Sequence, residues 1–65
     1  MDEAQANAIA AALGGEVWQT GGDIWLVLLR RQDGRVVAIS DEAVCEYANE
    51  DELASGRPAV SVILH

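Results

Sequence analysis

The chain contains no lysine, one cysteine and one histidine among its 65 residues. A single cysteine excludes an internal disulfide framework, and the cysteine and histidine clusters that bind metals are missing from the sequence. No stretch reaches the ~18 consecutive apolar residues of a membrane span, and the N-terminus lacks the basic and then apolar layout of a signal peptide. The expectation is therefore a soluble cytoplasmic protein without a metal or other cofactor.

Positive charge is also scarce. Four arginines stand against eleven carboxylates, which gives a formal net charge of −7. This balance argues against direct binding to nucleic acid, because much of that affinity comes from lysine and arginine contacts with phosphate. It is compatible with a basic protein partner, and equally with acidity that only keeps a small protein soluble.

The first half of the chain predicts a helix and a short strand. Glu3–Leu13 is rich in alanine, the best helix former, and Asp2 is suited to cap its N-terminus. Within this helix, Ile9 and Leu13 are expected to face the core. Two glycines then end the helix, and Glu16–Thr20 reads as a strand.

A β-hairpin is the most strongly indicated element. Ile24–Leu29 is a continuous apolar run, Val36–Ile39 is another, and an Asp-Gly pair at 33–34 lies between them. Asp-Gly favours a two-residue type I′ turn, in which both central residues have positive φ. A turn of that length places Leu28 opposite Ile39.

Both faces of this hairpin are apolar, whereas a sheet exposed on one side should alternate. Either two helices divide between the faces, or one face stays open for a partner or a second copy. The open face is expected to be the one with tryptophan, because tryptophan is enriched at interfaces. Its candidate interface residues are Trp25, Val27 and Leu29.

The second half predicts another helix and a final strand. Ser40 is a suitable N-cap for a helix over Asp41–Asn49 or slightly longer, and Ser55–Pro58 is a clear break. Ala59–Leu64 alternates as a strand does, and it must find an edge of the sheet. The chain is thus expected to be one α+β domain, residues 1–65, with two helices on an antiparallel sheet in the order α-β-β-β-α-β.

Six carboxylates crowd the predicted second helix. Three of them, Glu42, Glu46 and Glu50, are spaced four apart and would form one row on its outer face, flanked by Asp41, Asp51 and Glu52. Carboxylates one helical turn apart repeat every ~6 Å, close to the phosphate spacing of a nucleic acid strand. Such a row could occupy the basic groove of a nucleic-acid-binding protein; the alternative is a solvated helix face.

Catalytic constellations are missing from the sequence. Cys45 would need a base to act as a nucleophile, and the one histidine, His65, is the last residue. A buried structural thiol is the better reading of Cys45. A metal site on Glu42, Glu46 and Glu50 lacks the loop geometry of a calcium site, so no enzymatic activity is expected.

In size, acidity and lack of lysine, the chain resembles the small phage-encoded DNA-mimic inhibitors of the anti-CRISPR type. The resemblance is carried by Asp41-Glu42, Glu46 and Glu50-Asp51-Glu52. It implies a non-enzymatic inhibitor, acting in the host bacterial cytoplasm on a CRISPR effector complex with a basic DNA-binding channel. The alternative hypothesis is a structural or regulatory interaction module, a homodimer formed through the apolar hairpin face.

Overall fold

One antiparallel sheet and two helices make up the fold. The computed structural model describes residues 1–22 and 24–64. The elements in chain order are α1 (Glu3–Leu13), β1 (Glu16–Thr20), β2 (Ile24–Arg30), β3 (Val36–Ile39), β4 (Ala43–Tyr47), α2 (Glu50–Ser55) and β5 (Val60–Ile63). The strands follow one another across the sheet as a meander, β1-β2-β3-β4-β5. The predicted α+β class with two helices on an antiparallel sheet is confirmed, and the element order is α-β-β-β-β-α-β.

Helix α1 begins and ends as its sequence predicts. The Asp2 carboxylate accepts a hydrogen bond from the Gln5 backbone N–H at 2.8 Å, and the Gln5 side chain accepts one from the Asp2 N–H at 3.1 Å. These reciprocal bonds form a capping box. The inward face differs in part from the prediction: Ile9 packs against the core as predicted, but Leu13 is exposed, and the fully inward residues are Ala6 and Ala10. Small alanine side chains let the helix axis lie close to the sheet.

The core lies between α1 and the first two strands. Val27 is fully buried (0% exposed) between Ala6 and Ala10, and Trp25, Leu29 and Ile39 pack around this cluster. The part of the Trp25 face that β1 and β2 form is therefore covered by α1. The prediction that Trp25, Val27 and Leu29 form an open interface is wrong, because α1 packs on them.

The hairpin between β2 and β3 is present, but its register differs from the prediction by one residue. The Arg31 N–H donates to the Arg35 carbonyl at 2.8 Å, so the loop has three residues, and its last residue, Gly34, has φ +92°. Leu28 consequently pairs with Ala38. Because side chains alternate between faces, a slip of one residue exchanges the faces of the whole β3 strand.

The predicted helix over Asp41–Asn49 is wrong, since Ala43–Tyr47 forms strand β4. Ser40 does accept hydrogen bonds from two following N–H groups, but these bonds close a tight turn into the strand. β4 pairs with β3 on one side and with β5 on the other. Backbone pairing along both edges outweighs a weak helical preference, because the segment contains valine, cysteine and tyrosine.

The second helix starts later than predicted. Asn49 caps α2, and its side-chain oxygen accepts a hydrogen bond from the Glu52 N–H at 2.9 Å. Leu53 and Ala54 line the same cavity as Leu28 and Ala38, which lie on the sheet face opposite to Val27. The two helices thus divide between the two faces, and neither spans the whole sheet.

Candidate interaction surface

The six carboxylates predicted to bind a partner do not lie on one helix. Asp41 and Glu42 lie in the turn before β4, and Glu46 lies within β4. Glu50, Asp51 and Glu52 form the first turn of α2. A row of carboxylates at successive helical turns is therefore not formed, because the segment that would carry it is largely a strand.

Most of these carboxylates have a cationic neighbour. The Glu46 carboxylate accepts a hydrogen bond from Arg35 at 2.7 Å. That bond, together with the negative charges of Glu46 and Asp33, raises the pKa of the Arg35 guanidinium. Glu52 lies 3.4 Å from the Arg57 guanidinium. These carboxylates serve contacts inside the molecule.

Three further ion pairs join elements that are distant in the chain. Arg30, at the end of β2, contacts the carboxylates of both Glu16 in β1 and Glu50 in α2. The Met1 amino group contacts the Asp41 carboxylate. Because the side chains of Arg30, Glu16 and Glu50 are substantially exposed, each pair that Arg30 forms is worth at most about 1 kcal/mol.

The three consecutive acids of α2 have a local explanation. They occupy the first helical turn, where the exposed N–H groups and the helix dipole favour negative charge. At the C-terminal end of the helix predicted from Asp41 onwards, the same three charges would be unfavourable. Their clustering is therefore accounted for by the fold, although the prediction that they contact a basic partner stays a prediction.

Strand β5 carries the largest group of exposed apolar side chains. Four exposed apolar residues on or directly after this strand are here called the β5 surface: Val60 (53% exposed), Val62 (53%) and Leu64 (44%) on one face of the sheet, and Ile63 (58%) on the other. Val62 lies beside Val44, and Val60 beside Glu46. Helix α1 packs on β1 and β2, so it does not reach these residues.

The β5 surface also has an open backbone edge. The Leu64 N–H donates to the Glu42 carbonyl at 2.8 Å. Because hydrogen-bonded and non-hydrogen-bonded pairs alternate in an antiparallel ladder, the backbone groups of Ser61 and Ile63 point away from β4. No other strand of the described residues pairs with them. The sequence had already shown the alternation of this segment and its need for an edge position, which are the signals that identify it.

A second concave region lies between α2 and the sheet. It has a volume of about 430 Å³ and is lined mainly by apolar side chains, including Trp18, Leu26, Tyr47 and Leu53. Burial raises the pKa of the Tyr47 phenol, and Cys45 adds to the effect. Among the described residues that line it, Glu50 is the only carboxylate, and it already contacts Arg30.

The residues considered for catalysis are not brought together into a site. Cys45 is half-buried, with its Sγ atom 3.4 Å from the Ser61 hydroxyl. His65 lies outside the described residues. Within residues 1–22 and 24–64, no three histidine, cysteine, aspartate or glutamate side chains are grouped so as to hold a metal ion.

Neither helix in the described part of the chain is long and apolar enough to cross a membrane. Comparisons of the chain with protein families, with curated proteins and with solved structures give no match.

Proposed function

We propose that this chain is a non-enzymatic interaction module that binds a protein partner through the β5 surface. The observation that carries the proposal is an edge strand whose four residues are all exposed, next to a sheet region that α1 leaves uncovered. This is the interaction-module hypothesis drawn from the sequence, now placed on β5 instead of Trp25, Val27 and Leu29.

The physical basis is the free energy available from covering this strand. Fully burying a valine, leucine or isoleucine side chain is worth about 1.5–3 kcal/mol relative to leaving it exposed. Proteins usually protect a sheet edge with lysine, proline or an inward-pointing charge. Val60–Ile63 contains no charged residue and no proline, so an added strand meets neither obstacle.

A second candidate function is inhibition of a basic nucleic-acid-binding protein, such as a CRISPR effector complex, in the host cytoplasm. It is favoured by the net charge of −7 and the lack of lysine. Without a helical row, Glu42, Asp51 and the other carboxylates would act as a diffuse negative field. Such a field steers association but is screened by salt.

The test compares two isoleucines of nearly equal exposure, Ile63 at 58% and Ile24 at 61%. Ile63→Asp places a charge in the β5 surface, whereas Ile24→Asp places it at the far side of the sheet. Immobilised wild type and both variants are incubated with cell extract at about 0.1 M and about 1 M NaCl, and retained proteins are quantified by mass spectrometry.

We expect Ile63→Asp to lose the partner while Ile24→Asp keeps it, at both salt concentrations, because apolar burial does not weaken with salt. Equal retention by both variants would contradict binding through β5. Release of a nucleic-acid-handling protein by high salt alone would favour the acidic inhibitor instead.

A further inference from the structure

We propose that the partner of β5 is a second copy of this chain, joined edge to edge so that two five-stranded sheets become one of ten strands. This inference rests on the proposed function and names the occupant of the same surface. Two chains related by a two-fold axis would pair their β5 strands antiparallel, which is the usual isologous arrangement.

The outward-pointing backbone groups select a register. Ser61 and Ile63 both present N–H and C=O groups to the open edge, as the ladder with β4 requires. If Ser61 pairs with Ile63 of the second copy, and Ile63 with Ser61, all of these groups are satisfied. Val62 then lies on the two-fold axis, facing itself in a non-hydrogen-bonded pair.

This register also matches the side chains. Val60 would lie opposite Leu64 of the second copy and Leu64 opposite Val60, so each exposed apolar residue on that face gains an apolar cross-strand neighbour. Residues 58–64 carry no charge. Two chains that each carry a net charge of −7 can therefore meet here without opposing like charges directly.

The length of the strand indicates how strong such a dimer should be. Because β5 has only four residues, two such strands pair over less surface than the ~800 Å² per partner of a standard interface. We therefore expect a weak, concentration-dependent dimer.

Analytical ultracentrifugation over a series of increasing protein concentrations tests the second copy as occupant. The wild type should shift from 6.9 kDa to twice that mass. Ser61→Pro removes an outward N–H, which edge strands tolerate, and it should weaken the dimer at least tenfold. Ser61→Ala is the matched control, since it loses the same hydroxyl contact with Cys45 but keeps the N–H, and it should dimerise as the wild type does.

Cross-linking tests the register independently of proline. In a Cys45→Ser background, Val62→Cys should form an intermolecular disulfide, because paired Cα atoms lie about 4.5 Å apart, within disulfide reach. Val60→Cys should not, because its two copies would be about 13 Å apart. Equal cross-linking of the two variants would overturn the register.

The outcomes separate the two proposals. A wild type that stays monomeric while Ile63→Asp still loses another protein would reject the second copy and leave the interaction module standing. A dimer that Ser61→Pro does not weaken, in a variant with a wild-type circular dichroism spectrum, would reject edge pairing. If the Ile63→Asp variant still self-associates and still captures the partner, both the dimer and the interaction module are rejected.

Discussion

At the scale of single residues, Gly15 lies where the segment between α1 and β1 comes very close to β2. A Cβ atom at this position would lie 2.5 Å from the Leu29 Cδ2 atom and 2.7 Å from the Leu28 carbonyl oxygen. Glycine is therefore required by space, because the chain leaves α1 and enters β1 directly against β2. The neighbouring Gly14 has open space around it and is required instead by its φ of +74°.

We expect Gly15→Ala to lower the free energy of unfolding by about 1–3 kcal/mol, since overpacking displaces a backbone carbonyl that cannot move freely. Gly14→Asn is the matched control. Asparagine tolerates the left-handed conformation and meets no neighbouring atom, so its effect should be smaller. Urea unfolding followed by tryptophan fluorescence measures both. A Gly15→Ala variant as stable as the wild type would show that the contact relaxes.

At the scale of elements, the chain shows where local sequence decides and where it does not. α1, β1 and the two arms of the hairpin form where their residues predict them, because capping, alanine content and apolar runs all agree. β4 does not, because Ser40 followed by Asp41 and Glu42 resembles a helix start while Val44, Cys45 and Tyr47 suit a strand. The strands on either side resolve this local ambiguity.

Helix α2 has only six residues, so its cap should carry much of its stability. We expect Asn49→Ala to lower the free energy of unfolding by about 1 kcal/mol, because the Glu52 N–H loses its acceptor. Asn7→Ala is the matched control: Asn7 is an exposed residue inside α1, where alanine is the better helix former, so stability should not fall. Urea unfolding compares the two variants. Equal losses would show that the Asn49 cap has no specific role.

At the scale of the whole molecule, charge is distributed unevenly between paired and isolated carboxylates. Arg30 and Arg35 each contact carboxylates from other parts of the chain. Glu42 has no ion pair among the described residues, whereas Glu46 is paired with Arg35. With a net charge of −7, a carboxylate that lacks a cation should destabilise the compact state through repulsion.

We therefore expect Glu42→Gln and Glu46→Gln to act in opposite directions at low ionic strength. Glu42→Gln should raise the free energy of unfolding, by no more than about 0.5 kcal/mol, and Glu46→Gln should lower it. Both differences should shrink between about 0.01 M and about 1 M NaCl, where the screening length falls from about 30 Å to about 3 Å. Urea unfolding at the two salt concentrations checks this. A stabilisation by Glu42→Gln that persists in high salt would contradict repulsion as its cause.

Part of the candidate site was accessible from the sequence. The alternation of Val60, Val62 and Leu64, and the edge position of this last strand, follow from the pattern and the strand count. That this strand is the exposed apolar surface did not follow from the sequence. Trp25 was the stronger interface candidate there, because it is a tryptophan. Helix α1 decides which part of the sheet is covered: Ala6, Ala10 and Val27 form the buried cluster, and Trp25 is partly buried against it.

The sequence by itself determined α1 with its caps, four of the five strands and the α+β class, because each depends on contacts within a few residues. The tertiary structure decided the secondary structure of residues 41–49, the β2–β3 register and which apolar residues stay exposed. The strand at residues 43–47 depends on the strands on both sides of β4, and the register depends on a third loop residue that moves Ile39 onto the face of Val27. The exposure of the apolar residues depends on α1, which packs on β1 and β2. Local preference leaves such alternatives close in free energy, and the packing of the whole chain selects among them.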